Sequence, residues 1–167
     1  KSFKLQVDGN IPVFGGLGSS AALIVSIIRE LNENYKLGFG NERINEIAFK
    51  AEHVFHGNPS GIDNTVSTFG GLVWFEKNLV GGKNKIEKIK MGKTLPVVIG
   101  NTKVIHDTGE VVKEVRERKE HEPKKFEWIF LRAKELVLEG KDALKNGNGK
   151  KVGELVNENH VLLQKIG

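Results

Sequence analysis

The stretch Ile11 to Ala22, IPVFGGLGSSAA, contains three glycines within four residues, followed by two serines and the start of an apolar helical pattern. Glycine adopts backbone conformations that other residues avoid, and the first turn of a helix leaves N–H groups without partners inside the helix. Together these features predict a loop that wraps an anion, and a phosphate group is the anion that such a helix start commonly binds.

Two better-known glycine loops are excluded by their own requirements. A P-loop needs a lysine after its glycines, and none follows Gly18, while the spacing and the later acidic residue of a dinucleotide-binding loop are not evident. An ordinary turn is the remaining alternative, with Gly15, Gly16 and Gly18 in the turn and Ser19 as the helix cap. That alternative is compatible with phosphate binding, because the same amides serve both purposes.

A second segment, EHVFHGNPSGIDNTVSTFGG from Glu52 to Gly71, has a carboxylate on each side of a predicted turn. Ser20 and Glu52 offer the oxygen ligands that Mg²⁺ accepts, and Asp63 is then available to face an acceptor hydroxyl. These parts are the ones that metal-assisted phosphoryl transfer requires. The alternatives are that Glu52 is an exposed helix carboxylate and that Asp63 caps a helix together with Ser60. Neither His53 nor His56 is assigned as a metal ligand.

Composition narrows the class of protein. The 167 residues have a net charge of +5 and include no cysteine, which excludes disulfides, thiolate metal sites and cysteine nucleophiles. Lysine and arginine alternate with glutamate, as in RERKEHEPKK from Arg116 to Lys125, and this mixture is typical of a solvated helix face. A nucleic-acid-binding module that grips backbone phosphate is the alternative from another class, and it lacks basic stripes with interleaved aromatics. The absence of an apolar run of about 18 residues predicts a cytoplasmic protein that makes no membrane contact.

Hydrophobic periodicity predicts strands and helices in the order of an α+β protein, with a domain boundary between residues 92 and 93. Val111, Val112 and Val115, in the helix predicted from Thr108, are expected to be buried. Gly81 to Lys85 is expected to form a hairpin turn or an exposed loop. The predicted strands are Phe3–Val7, Leu72–Glu76, Lys85–Lys90 and Leu95–Ile99. The predicted helices are one of about four turns from Ser20, then Asn41–Phe55, Ser60–Thr68, Thr108–Glu120, Lys124–Lys145 and Lys150–Ile166.

The two segments resemble those of the GHMP kinases, most closely the mevalonate kinases among them. PVFGGLGSSAA is similar to the phosphate-binding motif of that superfamily, and HGNPSGIDN is similar to the more specific core of the second motif. NTKVIHDTGEVV, from Asn101, resembles a loop and helix on the substrate side, and ENHVLLQKIG, from Glu158, resembles a helix that closes the C-terminal domain. The likeness covers essentially the full chain.

The resemblance implies a role for each matching residue. It implies that Ser20 and Glu52 hold Mg²⁺, that Asp63 is the catalytic carboxylate and that Thr108 lies near the substrate. His106 and Asp107 before Thr108, and Gly109 after it, depart from the family pattern, in which a basic residue often follows the threonine. The residues that would line the triphosphate of ATP are Gly15, Gly16, Gly18, Ser19 and Ser20.

The implied reaction is transfer of the γ-phosphate of ATP to the primary hydroxyl of mevalonate, a step toward isoprenoids. Related kinases that act on phosphomevalonate, galactose or homoserine share the glycine loop and remain alternatives, and a homodimer is left open. The implied fold has two α+β domains, the first (residues 1–92) similar to ribosomal protein S5 domain 2 and the second (93–167) ferredoxin-like. Two elements of the family are missing: the N-terminal segment that supplies a lysine near the catalytic aspartate, and the C-terminal glycine-rich motif that completes the nucleotide site. We therefore expect an internal fragment that is inactive alone, with only part of each domain present.

Overall fold

The computed structural model describes residues 4–12, 16–56, 59–101, 104 and 108–167, and for residues 55, 56 and 108 it describes the backbone alone. The chain divides into two compact units, Lys1–Gly70 with Asn101–Ile105, and Gly71–Gly100 with His106–Gly167. The helices are α1 (Ser19–Asn34), α2 (Asn41–His56), α3 (Ile62–Phe69), α4 (Thr108–His121), α5 (Pro123–Lys145) and α6 (Gly149–Ile166), and the strands are β1 (Leu72–Glu76) and β2 (Lys85–Ile89). These units are defined by how residues of this chain pack together, and they do not test the domain boundary predicted between residues 92 and 93. That boundary stays a prediction.

The first unit is a cluster of three helices, α1 to α3. Its apolar core forms where the helical repeats of α1 and α2 face each other, and Phe39 packs against the edge of that core. Asn32 closes the connection between the two helices, since its Oδ1 accepts from the Phe39 amide at 2.8 Å and its Nδ2 donates to the Phe39 carbonyl at 3.1 Å. The core side chains are Ile24, Val25, Ile44 and Ala48.

The second unit begins with a hairpin in which β1 pairs with β2 antiparallel, with Leu72 opposite Ile89. The predicted connection is an exposed loop rather than a tight turn, in which Gly81 and Gly82 have φ values of 94° and 112° that favour glycine, and Lys85 already begins β2. Lys141 of α5 holds the hairpin, with its Nζ 2.8 Å from Oε2 of Glu87 and 4.2 Å from the centre of the Trp74 ring. The hydrogen bond from Lys141, together with the nearby Lys145, holds the pKa of Glu87 below its ordinary value.

The rest of the second unit is dominated by the helical hairpin of α5 and α6. Pro123 starts α5, where its missing N–H costs nothing, and Asn148 caps α6 by accepting from the Lys151 amide at 3.1 Å. The core between the two helices is apolar and follows the predicted three- and four-residue spacing. Its buried members are Ile129, Leu136, Ala143, Leu155 and Leu162.

Charged side chains close this helical hairpin along its edge. Arg132 of α5 donates from Nε to Oε1 of Glu158 on α6 at 2.7 Å and from Nη2 to Oε2 of Glu158 at 3.0 Å, and it also pairs with Glu135. Hydrogen bonding to Arg132 lowers the pKa of Glu158, and the same bonds raise the pKa of Arg132. The pKa of Glu139 is lowered chiefly by its bond to Lys151 and then by Arg132.

The structure corrects three predictions of local structure. Neither Lys4–Val7 nor Leu95–Ile99 is a strand: the described residues offer no neighbouring strand, and Pro96 lacks the N–H that a ladder needs. Val97, Val98 and Ile99 are exposed, Val98 by 97%. On α4, Val111 and Val112 are exposed rather than buried and only Val115 is half-buried, because no described element covers that face of the helix.

The remaining elements follow the predicted bounds to within about two residues, which is the usual uncertainty of helix ends. Within the described part of the chain, no helix has the length and apolar character needed to cross a membrane.

Candidate functional site

The glycine loop leads directly into α1. Gly16 and Gly18 have φ values of 67° and 68°, the left-handed conformation that favours glycine, and Gly18 occupies the N-cap position. Ser19 is therefore the first residue inside the helix, which corrects the alternative that it is the cap. Ser19 and Ser20 are half-buried in the first turn of α1, and Gly15 lies outside the described residues. A helix start with a glycine cap presents backbone amides to an anion.

Asp63 lies against this loop. A Cβ atom placed on Gly18 would be 3.6 Å from Cβ and Cγ of Asp63 and 3.7 Å from its Oδ1. These are ordinary van der Waals distances, so the carboxyl group of Asp63 lies next to the backbone of Gly18. The carboxylate from the second segment and the loop from the first thus meet, although 45 residues separate them in sequence.

The first turn of α3 explains why Asp63 has this position. Gly61 takes the N-cap position with a φ of 90°, Thr65 Oγ1 donates to the Gly61 carbonyl at 2.6 Å, and Ser60 Oγ accepts from the Ile62 amide at 3.2 Å. Ser60 is therefore not the N-cap residue, so that part of the alternative is wrong. The other part, in which Asp63 favours the helix N-terminus, is compatible with the structure. Asp63 is exposed in the first turn, where the helix dipole favours a carboxylate.

Glu52 lies in the last part of α2 and is only 3% exposed. The alternative of an ordinary exposed helix carboxylate is therefore wrong. Burial of a charged group is costly unless the group is paired or coordinates a metal. The role of Glu52 as a magnesium ligand stays a prediction. Glu52 lies one turn after Ala48 and two turns after Asn45 on the same side of α2.

The described residues contain no group of three or more histidine, aspartate or glutamate side chains that could hold a metal alone. Magnesium in nucleotide sites is held by one or two protein oxygens, with phosphates and waters completing the shell. Ser20 at the start of α1 and Glu52 on α2 stay the predicted protein ligands of such a partial shell. The side chains of His56 and Thr108 lie outside the described residues, and His53 packs edge-on against Phe49 with ring centres 4.8 Å apart.

A set of polar side chains between the helices was missed by the sequence reasoning. Asn64 and Thr65 are buried beside α2, and Arg29 of α1 donates to the Thr68 carbonyl of α3 at 2.8 Å and to Asn41 Oδ1 at 3.0 Å. The available signal was the run Asp63-Asn64-Thr65, in which polar residues cover more than one face of a very short helix. Because successive residues point to different sides of a helix, these three polar side chains cannot all face solvent when the helix is packed.

Comparisons with known proteins identify relatives of this chain. Residues 1–71 match the family model described as the GHMP kinases N terminal domain. The mevalonate kinase of Thermococcus gammatolerans is 34% identical over 172 residues, which is 100% of this chain and 49% of that protein. The mevalonate kinase of Pyrococcus furiosus is 34% identical over 169 residues, covering 98% of this chain and 48% of that protein. The chain thus spans about half the length of the curated relatives it matches.

A solved structure shows the same relationship at the level of the fold. The crystal structure of L. major mevalonate kinase in complex with R-mevalonate superposes with a TM-score of 0.77 at 31% identity, over 89% of this chain and 45% of that one. The predicted fold class, α+β within the GHMP kinase fold, is confirmed by this match. From its glycine loop, its second motif and its relatives, the chain belongs to the GHMP kinase family.

Proposed function

We propose that the protein transfers the γ-phosphate of ATP to the primary hydroxyl of mevalonate. One observation carries the proposal: the carboxyl group of Asp63 lies beside Gly18, at the helix start where phosphate is expected to bind. Catalysis of phosphoryl transfer depends on positioning and charge stabilisation, so a carboxylate beside a phosphate loop is the arrangement it needs. The names of the curated relatives support mevalonate as the acceptor.

Each residue has a defined part in the proposed reaction. The amides of Gly16, Gly18 and Ser19 hold the phosphate oxygens, and Ser20 and Glu52 hold Mg²⁺. When bound, Mg²⁺ supplies neutralisation of the phosphate charge. Asp63 orients the acceptor hydroxyl and accepts its proton as the hydroxyl oxygen bonds to the γ-phosphorus. The bond from that phosphorus to the β,γ-bridging oxygen breaks, and ADP leaves.

Thr108 remains our candidate for a substrate contact, as the first residue of α4. Phosphomevalonate, galactose and homoserine are the competing acceptors, because related kinases share the glycine loop. The proposed substrates are water-soluble metabolites, and we place the reaction in the cytoplasm.

The test is an acceptor panel with the whole protein, ATP and Mg²⁺, in which ADP formation is followed for mevalonate, phosphomevalonate, galactose and homoserine. We expect mevalonate to give the highest kcat/KM and the product to carry phosphate on its primary hydroxyl. Preferential turnover of another acceptor would replace mevalonate in the proposal. Absence of ADP formation with every acceptor would remove the kinase assignment of the site.

A further inference from the structure

We propose that the side-chain pair Asn45–Asn64 positions Asp63 against the glycine loop. This inference rests on the proposed function, because it concerns the carboxylate that faces the acceptor. Asn64 Nδ2 donates to Asn45 Oδ1 at 2.6 Å and lies 3.4 Å from the Asn45 carbonyl, so one amide of α3 binds two acceptors of α2.

The burial of Asn64 fixes the rotation of α3 about its axis. Asn64 is 2% exposed and follows Asp63 directly in α3, so the two side chains project about 100° apart around the helix, one toward α2 and the other beside Gly18. A buried amide keeps its hydrogen bond because water cannot replace it. Rotation or sliding of α3 that moved Asp63 would therefore break the bond to Asn45.

The rest of α3 depends on its neighbours in the same way. The helix has only eight residues, too few to be stable alone. Asn45 Nδ2 also lies 3.4 Å from Thr65 Oγ1, and Arg29 binds the Thr68 carbonyl near the other end at 2.8 Å. Asn45 lies two turns before Glu52 on the same helix, so the pair sets the first turn of α3 relative to the element that carries the proposed magnesium ligand.

The experiment compares Asn45→Ala, Asn45→Asp and Asn64→Leu in the whole protein by steady-state kinetics with mevalonate and ATP. Asn64→Leu keeps the approximate volume but removes the donor, and we expect kcat to fall by up to about 100-fold with the KM for ATP changed by less than about threefold. Asn45→Ala should lower kcat less, because the backbone acceptor remains. Asn45→Asp keeps an acceptor oxygen in place and should restore most of the loss.

Ile44→Val is the matched control, since it weakens the same helix cluster through its apolar core and leaves the pair intact. Its kcat should stay within about twofold of the parent protein at temperatures where both are folded. Equal kcat losses for Ile44→Val and Asn64→Leu, or equal losses for Asn45→Asp and Asn45→Ala, would show a purely structural pair and overturn the proposal.

Hydrogen exchange of the α3 amides separates this inference from the proposed function. If the acceptor panel shows no kinase activity, the proposed reaction fails on its own. Faster exchange of the amides that are hydrogen-bonded within α3, which lie beyond its first turn, for Asn45→Ala, with restoration by Asn45→Asp, would still show that the pair holds Asp63 in place. Unchanged exchange in all three variants would overturn the positioning role regardless of activity.

Discussion

The α1–α3 cluster and the α5–α6 helical hairpin both bury an apolar core, but the α1–α3 cluster also buries polar side chains. In the part of the chain that the structure describes, the buried polar side chains all lie on α2 and α3. They are Glu52, Asn64, Thr65 and Thr68. The buried core shared by α5 and α6 is wholly apolar, and the charges of that hairpin, such as those of Arg132 and Glu158, stay at its surface.

This difference indicates what each region is built for. Apolar burial stabilises a helix pair, but an apolar core tolerates repacking of its side chains. Buried hydrogen bonds stabilise less on balance, but they tolerate only one arrangement of their partners. We infer that the buried polar side chains of α2 and α3 serve the geometry of Gly18 and Asp63, whereas the α5–α6 core serves stability.

The largest expected effect is on turnover at the polar region. Asp63→Asn in the whole protein should lower kcat by about 10²–10⁴-fold, because the amide cannot accept the proton of the acceptor hydroxyl. The KM for ATP should change little, since the loop amides are untouched. The matched control is Asp142→Asn on α5, an exposed helix carboxylate outside the site. Steady-state kinetics of both variants checks this, and an unchanged kcat for Asp63→Asn would return Asp63 to a helix-stabilising role.

The next effect is on stability at the apolar region. Leu136→Ala should lower the free energy of unfolding by about 2–5 kcal/mol, because it leaves a cavity in the core between α5 and α6. Leu138 on the same helix is 47% exposed, against 3% for Leu136, so Leu138→Ala is the matched control and should cost far less. Denaturant unfolding of the whole protein measures both. Equal losses would mean that α5 does not bury the face seen here.

A smaller effect is expected for substitutions of glycine, which compare Gly18 in the glycine loop with Gly38 outside it. Gly18→Ala and Gly38→Ala both place a Cβ on a residue with positive φ, 68° and 70°, and each should cost about 1–2 kcal/mol of stability. Nothing lies within 4 Å of a Cβ at Gly38, whereas Asp63 does at Gly18. Only Gly18→Ala should therefore also lower kcat, by up to about 100-fold. Matching kinetics for the two variants would count against a site at Gly18.

The smallest effect concerns the charged edge of α5 and α6. The pKa values of Glu139 and Glu158 lie below their ordinary value of 4.5, so these carboxylates stabilise the folded state above that pH. That contribution is lost as the pH falls through their lower folded-state pKa values. Replacing Arg132 by Gln should lessen the acid-induced loss of stability and change stability at neutral pH only slightly, because the pairs are solvent-accessible. Denaturation midpoints at pH 7 and at about pH 3 measure the difference.

Most helices were predictable because their causes are local. The apolar repeats of α1, α2, α5 and α6, and the glycines before α1 and α3, set the bounds of these elements. The strand predicted at Leu95–Ile99 failed because a strand is stabilised by a partner, which residue patterns within the strand cannot reveal. The burial predicted for Val111 and Val112 failed for the same reason, since an apolar helix face shows what can be covered and not what covers it.

The sequence by itself determined where the glycine loop lies, that Asp63 begins a helix, and which family the chain resembles, because backbone preferences and motifs are properties of neighbouring residues. Only the tertiary structure decided that Asp63 lies beside Gly18, that Glu52 is buried and that Asn45 binds Asn64. These three facts depend on how α1, α2 and α3 pack, and packing joins residues that are distant in the chain. Local sequence contains no direct measure of such distances.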